Sequence, residues 1–269
     1  MNLKDILVHI DNRKTCTSRM EVALKLAAQQ QSLLTGIYVV PHPHFLTPKI
    51  DYQEQAILAE KNFRTKAEAA GVQSDWICVD SKSSGLDVPN AINLYAHYRD
   101  LLVISQTDPD VPDRIIPDNL PEKAILGSGR PVLVVPYAGQ YNHDIKRILL
   151  AWRGGPESSR ALHDSMPVLR QAKKINVITV QGQVFDQINA SKEADICKHM
   201  TRYDLPLSCE KRSGGDLSVG DMLLNRCAEY GTDLLVMGAT SQLRRGYLTL
   251  GETGRHLLKY MTAPVLMSH

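Results

Sequence analysis

The residues best suited to chemistry lie near the end of the chain, between a short apolar run and a helix-like segment. The apolar run 234–237 has the length of a buried strand, and apolar residues recur at helical spacing after residue 253. The polar and glycine positions between and around them are Gly238, Ser241, Arg244, Arg245, Gly251, Glu252 and Thr253. Backbone N–H groups of a glycine loop and of a helix N-terminus hold anions. This stretch therefore predicts an anion site between a strand and a helix.

The elements that must position this stretch occur twice along the chain. Residues 148–153 repeat the pattern of residues 6–11, and residues 233–238 repeat that of residues 100–105. The run that begins at Pro264 likewise repeats the run that begins at Pro131. Because the order and the strand edges are kept, we interpret the chain as a duplication, with a first domain over 1–138 and a second domain over 145–269.

Strand-like and helix-like segments alternate in each half, which predicts an α/β fold of two similar, doubly wound domains. Each would be a five-stranded parallel sheet flanked by helices, with its ligand site at the carboxyl ends of the strands where their order reverses. Pro131 and Pro264 each open a fifth strand, and proline is tolerated at a sheet edge. Since exposed apolar edges aggregate, we expect these edges to pair, half with half or between the two copies of a homodimer.

The composition argues against several classes of protein. The 31 basic and 29 acidic residues leave a formal net charge of +2, which gives no electrostatic reason to expect a nucleic-acid partner or an anionic membrane surface. No apolar run approaches the roughly 20 residues that span a bilayer, and the N-terminus leads directly into a strand-like run. We expect a protein that is neither membrane-bound nor secreted.

The cysteines and histidines predict no metal site. The five cysteines are Cys16, Cys78, Cys197, Cys209 and Cys227. They are odd in number and contain no CxxC pair, which is typical of unpaired thiols in a reducing cytoplasm. Cys197, His199 and Cys209 do not have the spacing of a zinc site. The chain also lacks a Walker loop and a G-x-S-x-G elbow, and no set of catalytic residues stands out.

With these features the whole chain resembles a tandem universal stress protein. Nucleotide-binding members of that family carry Gly-x2-Gly-x9-Gly followed by Ser or Thr. Gly238 and Gly251 match the first and last glycines, while Ser241 and Glu252 replace the middle glycine and the hydroxyl residue. The resemblance implies an adenine nucleotide alpha hydrolase-like fold, a role in the stress response, and ATP or AMP with Mg²⁺ as the ligand to test.

The resemblance also implies an acidic residue at the end of the first strand and backbone contacts near the end of the second. Asp11 and Val39 match these positions in the first half, but the loop 105–110 has no glycine and carries two acids. In the second half Arg153 stands where the acid would be. We therefore expect any nucleotide in the second domain rather than in the first. Arg153, Arg244 and Arg245 would offset the charge of the Glu252 carboxylate, and Thr253 would supply the hydroxyl that Glu252 replaces.

Three functions remain open at this point. The first is a cytoplasmic binding and regulatory module with an adenine nucleotide in the second domain. The second is an enzyme that slowly hydrolyses ATP or transfers a nucleotidyl group. The third is an interaction protein with an unknown protein partner, in which both sites are degenerate and Glu252 simply caps its own helix.

Overall fold

A computed structural model describes residues 2–42, 51–111, 115–181, 192–213, 217–244 and 246–269. The chain divides into two compact units, a first unit over Asn2–Asn142 and a second unit over His143–His269. Among the described residues, no helix combines the length and the apolar character needed to cross a bilayer.

In the first unit, strands and helices alternate around a parallel sheet. Its strands lie in the order β3-β2-β1-β4-β5. The elements are β1 Asp5–Ile10, α1 Thr15–Gln30, β2 Leu33–Val40, α2 Tyr52–Ala69, β3 Ser74–Asp80, α3 Ser81–Ser84, α4 Val88–Ala96, β4 Leu101–Ser105, α5 Leu120–Gly127 and β5 Val132–Val135. The fifth strand follows the fourth in this order.

The second unit repeats this plan and adds a hairpin. Its parallel strands lie in the order β12-β9-β6-β7-β8. The elements are β6 Arg147–Ala151, α6 Pro156–Leu169, β7 Lys174–Gln181, α7 Lys192–Thr201, β8 Leu207–Ser213, α8 Val219–Tyr230, β9 Leu234–Gly238, β10 Ser241–Arg244, β11 Tyr247–Leu250, α9 Glu252–Tyr260 and β12 Val265–Ser268. The predicted α/β class and the two similar halves are confirmed.

The sequence repeat is also a repeat of contacts. Ile6 pairs with Leu101 between β1 and β4, and the matching residues Ile148 and Leu234 pair between β6 and β9. The four central strands are apolar because helices bury them on both faces, as is usual in doubly wound sheets. Residues aligned by the sequence repeat therefore occupy equivalent positions in the two units.

One aspartate in each unit ties the start of the fourth strand to the start of the first. The Asp100 carboxylate accepts hydrogen bonds from the backbone N–H groups of Lys4 and Asp5, at 2.7 and 3.1 Å. Its equivalent, Asp233, accepts from Lys146 and Arg147, at 3.0 and 2.8 Å. Asp233 is also 2.9 Å from the Arg147 guanidinium, which, with these N–H groups, holds its pKa below the usual range against the opposing effect of burial.

Side chains with an oxygen acceptor cap the starts of several helices. The Asp87 side chain accepts from the N–H of Asn90 at 2.9 Å and begins α4. Ser218 begins α8 in the same way through the N–H of Asp221, at 3.1 Å. The Asp80 carboxylate caps the short helix α3 through the N–H of Lys82 at 2.7 Å.

The expectation that every cysteine is unpaired is wrong. Cys197 in α7 and Cys209 in β8 form a disulfide bond, with their Cα atoms 6.5 Å apart. The remaining cysteines are free thiols: Cys16 and Cys227 are buried and Cys78 is exposed. Sequence spacing missed this pair because a helix and a neighbouring strand bring the two residues together.

The Asp233 and Asp100 contacts generate a matched pair of predictions. Replacing Asp233 by Ala leaves two backbone N–H groups at the start of β6 without their acceptor. We expect this to lower the free energy of unfolding by about 1–3 kcal/mol. Asp100→Ala should cost a similar amount at the start of β1. Urea denaturation followed by circular dichroism measures both effects.

The exposed Asp110 provides the control for these variants. Asp110→Ala should change the free energy of unfolding by less than about 0.5 kcal/mol. Equal stability of all three variants would contradict the structural role of the paired aspartates.

Candidate functional site

The candidate sites lie at the carboxyl ends of the strands where the strand order reverses. In the first unit this point lies between β1 and β4, and in the second between β6 and β9. Loops diverge at such a point in open α/β sheets, and the crevice between them is where these sheets bind ligands. The two crevices lie at equivalent points of the two sheets but differ in their side chains and in the loop that follows the fourth strand.

The first crevice contains a buried ion pair between Asp11 and Arg19. Arg19 extends from α1, is 1% exposed, and places its guanidinium 3.1 Å from the Asp11 carboxylate. It also donates to the Ser105 hydroxyl, at the end of β4, at 2.9 Å. The other Asp11 oxygen accepts from the N–H of Arg13 at 2.9 Å. Both oxygens of the carboxylate that the resemblance implied for ligand binding therefore already have partners within the chain.

The charges in this cluster set the protonation states of their neighbours. Burial alone would raise the pKa of Asp11, but the Arg19 guanidinium and the Arg13 N–H lower it below its usual value. His9 is 2% exposed, and its Nδ1 lies 3.8 Å from the Asp11 carboxylate. Burial, then Arg19, lowers the pKa of His9 to about 3. The cluster is therefore a neutral histidine beside an internally compensated ion pair.

The second crevice reverses the charge at the equivalent position and lacks the buried arginine. Aligning 6–11 with 148–153 places Arg153 at the position of Asp11 and Ala161 at that of Arg19. Arg153 is exposed, and its backbone N–H donates to the Ser158 hydroxyl at 3.3 Å. Ala161 is fully buried in α6. The second crevice thus carries an exposed guanidinium at the position where the first has a compensated carboxylate.

Both motif glycines have packing roles within the second unit. A Cβ on Gly238 would lie 2.4 Å from the backbone carbon of Glu157, so only glycine lets the end of β9 approach the start of α6. A Cβ on Gly251 would lie 2.6 Å from the Thr240 hydroxyl oxygen, and the Gly251 N–H donates to the Thr240 carbonyl at 2.8 Å. The spacing that carried the resemblance is therefore also a requirement of the fold.

The predicted open loop after β9 is an antiparallel hairpin instead. β10 and β11 pair Ser241 with Leu250 and Arg244 with Tyr247. Ser241 is hydrogen-bonded to the His269 ring at 2.8 Å, so this serine has an internal partner. Arg244 is exposed on the hairpin, whereas Arg245 lies outside the described residues. Sequence reasoning missed the hairpin because its signal, alternation over four residues on each strand, is short.

Two helices begin at this end of the second unit without a side-chain cap. α9 follows Gly251 with no side-chain hydrogen bond to its first turn; Glu252 is exposed there and Thr253 is half-buried. α6 follows Gly155, again with no side-chain cap. Gly154 and Gly155 both have positive φ, at 82° and 87°. The sequence Gly-Gly-Pro is the signal from which this turn before α6 could have been predicted. Uncapped helix N-termini carry partial positive charge, which favours an anion.

The first unit has a pocket of about 370 Å³ at a different place, near the ends of β2 and β3. Its described lining is Pro41, His42, Ser81, Lys82, Gly85, Leu86, Asp87, Val88 and Ile115. None of these residues belongs to the Asp11 cluster. Val39, the second-strand position implied by the resemblance, is buried in β2 and is not among them. The pocket is thus separate from the site that the motif positions imply.

Among the described residues, no group of three or more His, Cys, Asp or Glu side chains could hold a metal ion. The disulfide removes Cys197 and Cys209 from any such set. The described structure thus offers Mg²⁺ no carboxylate cluster of its own.

The buried Asp11–Arg19 pair generates a stability prediction. Asp11→Asn leaves the Arg19 guanidinium buried without a compensating charge, which should cost about 3–5 kcal/mol of unfolding free energy. Arg19→Met added to Asp11→Asn removes the stranded charge, so the double variant should lose less than the sum of the two single losses. Chemical denaturation of the four proteins gives this cycle. Strict additivity would contradict a coupled pair.

His9 generates a prediction about acid. Its pKa is about 3 in the folded protein and 6.5 in a model peptide, so between these values the unfolded chain binds a proton that the folded chain does not. Stability should therefore fall as pH falls from about 6.5. His9→Gln removes this proton and should reduce the loss between pH 7 and 4.5 by about 2 kcal/mol. Urea titrations at several pH values test it.

The exposed His97 is the matched control for the acid prediction. His97→Gln should leave the His9 contribution in place. An identical pH dependence for His9→Gln and wild type would show that His9 is not buried in its neutral form.

Comparison with solved structures shows a fold shared over the whole chain. A universal stress protein from Archaeoglobus fulgidus DSM 4304 matches at a TM-score of 0.77 and 15% identity, covering 98% of this chain and 97% of that one. A functionally unknown protein from Pseudomonas aeruginosa PAO1 matches at a TM-score of 0.69 and 16% identity, covering 99% and 92%. No protein-family model and no curated protein matches the chain. This chain therefore has the fold of a universal stress protein along its whole length.

Proposed function

We propose that this chain is a cytoplasmic universal stress protein that acts as a binding and regulatory module of the stress response. Its ligand would be an adenine nucleotide such as ATP or AMP, held by the second unit. The full-length fold likeness to a universal stress protein supports the class. Because fold alone does not establish a ligand, the nucleotide has to be argued from the second crevice.

The observation that carries the proposal is the reversal of charge between equivalent crevices. Arg153 is exposed at the end of β6, and Arg244 is exposed on the hairpin that follows β9. The first turns of α6 and α9 have no side-chain cap and lie at the same end of the sheet, so they add backbone donors. Each first turn also carries one acid, Glu157 in α6 and Glu252 in α9. Guanidinium groups and helix N-termini both bind phosphate. The second crevice therefore combines two exposed guanidinium groups with backbone donors, which supports a phosphate ligand.

The first crevice is a poor nucleotide site for the opposite reason. The Arg19 guanidinium fills it from within, and Asp11 is already bonded to Arg19 and to a backbone N–H. The loop that follows β4 carries Asp108 and Asp110 and no glycine, so it adds negative charge where phosphates would lie. Binding there would require breaking a buried ion pair, which is costly.

Glu252 opposes nucleotide binding in the second unit. Its exposed carboxylate lies in the first turn of α9, where the helix dipole favours negative charge and where a phosphate would compete with it. We propose that Glu252 weakens the affinity without closing the site. The unit would then respond to nucleotide at high concentrations rather than hold it permanently.

Calorimetric titration with ATP and Mg²⁺ tests the proposal. Glu252→Ser removes a like charge and should tighten binding roughly fivefold, whereas Arg153→Gln should weaken it by a similar factor. Arg64→Gln makes the same charge change on the solvent face of α2, where Arg64 pairs with Glu60 at 2.8 Å, and should leave affinity unchanged. Gly251→Leu should abolish binding, but its clash with Thr240 also threatens the fold, so Arg153→Gln is the sharper test.

Absence of heat with both wild type and Glu252→Ser would overturn nucleotide binding in the second unit. Native mass spectrometry of the purified protein would then distinguish a different ligand from no ligand. A bound molecule other than a nucleotide would identify a different ligand, and an empty protein would favour an interaction module with both crevices closed. The same spectrum tests the expected homodimer.

A further inference from the structure

We propose that Cys197 and Cys209 form a reversible thiol–disulfide site whose oxidation fixes α7 onto the edge strand β8. The substrates of this site are low-molecular-weight thiols and disulfides of the glutathione type. The site is distinct from the nucleotide crevice of the second unit. The proposal depends on the proposed cytoplasmic location only for its biological setting, because its chemistry can be measured on the isolated protein.

The position of the bond gives it a defined mechanical role. Cys197 lies in the middle of α7, and Cys209 lies in β8, twelve residues later in the sequence. Cys209 is in register with Val177 of the neighbouring strand β7, and β8 is the last strand in the order of its sheet. The bond therefore joins a helix to the outermost strand of the second unit.

The accessibility of the pair makes it open to exchange. Cys209 is exposed and Cys197 is half-buried, so a small thiolate can reach the bond from solvent. Cys16 and Cys227 are 6% and 5% exposed by contrast. Burial raises the pKa of both their thiols, that of Cys227 to about 12, which keeps them protonated and unreactive. Exposed disulfides are the labile ones in proteins, and disulfides of cytoplasmic proteins are mostly transient or regulatory.

The described contacts of α7 lie in its second half. Ile196 and Met200 are its apolar residues with described burial, at 5% and 0% exposure, and they lie one turn apart on a single face. The His199 ring contacts Tyr203 with a centroid distance of 5.3 Å and His163 of α6 at 6.5 Å. An isolated helix of ten residues is marginal in water, so α7 should open more readily when a covalent tether is removed.

The exchange is balanced with two equivalents of thiol. A thiolate attacks one sulfur of the Cys197–Cys209 bond, forming a mixed disulfide and releasing the other cysteine as a thiol. A second thiolate resolves the mixed disulfide, giving two protein thiols and one small-molecule disulfide. Oxidation runs the same steps in reverse, with the small-molecule disulfide as the two-electron acceptor. The short separation between the two cysteines favours reclosure within the chain over reaction with a second molecule.

Native alkylation tests the exchange. Full-length Cys78→Ser protein removes the exposed thiol of the first unit. In mixtures of reduced and oxidised glutathione, iodoacetamide should label Cys197 and Cys209 together as the mixture becomes reducing, and leave Cys16 and Cys227 unlabelled. Restoring oxidised glutathione should abolish the labelling. A bond that opens only when denaturant is added, or that does not reform, would overturn the proposal.

Hydrogen exchange tests the mechanical role. Reduction should accelerate amide exchange of residues 197–204 on the order of tenfold, while the central strands β6 and β9 keep their rates. Cys209→Ser should show the fast exchange without any reductant and no longer respond to glutathione. Equal exchange in the oxidised, reduced and Cys209→Ser proteins would show that the bond does not hold α7. ATP affinity is measured separately, so failure of the nucleotide proposal leaves these readouts intact.

Discussion

The central strands of both units are buried on both faces, and this constraint confines their charged groups to the strand ends. β1, β4, β6 and β9 are lined by apolar side chains along their length, so charged groups are confined to their ends. At the amino ends, Asp100 and Asp233 bind the backbone of the neighbouring strand. At the carboxyl ends lie Asp11 and Arg153, where the chemistry of the two units differs. The two units thus share the same strands, and their side chains differ at the carboxyl ends of those strands.

The two units differ in how the charge at the end of their first strand is compensated. In the first unit, Asp11 and Arg19 neutralise each other inside the crevice, and the neighbouring His9 is kept neutral by burial and by Arg19. In the second unit, Ala161 cannot supply such a partner, and Arg153 is left exposed. A compensated buried pair supports the fold, whereas an exposed cation is available to a ligand. The two units therefore differ in whether the charge at this position is compensated within the chain.

The glycines of the second unit show why a sequence motif is an incomplete guide to a ligand. Gly238 is required because the start of α6 lies against it, and Gly251 because Thr240 does. Either residue would be needed without any nucleotide present. The proposal for an adenine nucleotide accordingly depends on Arg153, Arg244 and the uncapped helix starts rather than on glycine spacing. Glu252, in the first turn of α9, is the residue that sets how weak such binding would be.

The sequence by itself determined the alternation of strands and helices in the two parallel sheets, the duplication, and helix starts such as those at Asp87 and Ser218. These features depend on periodicity and on side chains within a few residues of the backbone they cap, so local pattern is sufficient. Only the tertiary structure decided that Arg19 reaches Asp11 across a crevice, that Cys197 bonds to Cys209, and that Gly238 lies against α6. Each of these contacts joins two different elements. Their geometry depends on how helices pack on the sheet, which residue spacing does not encode.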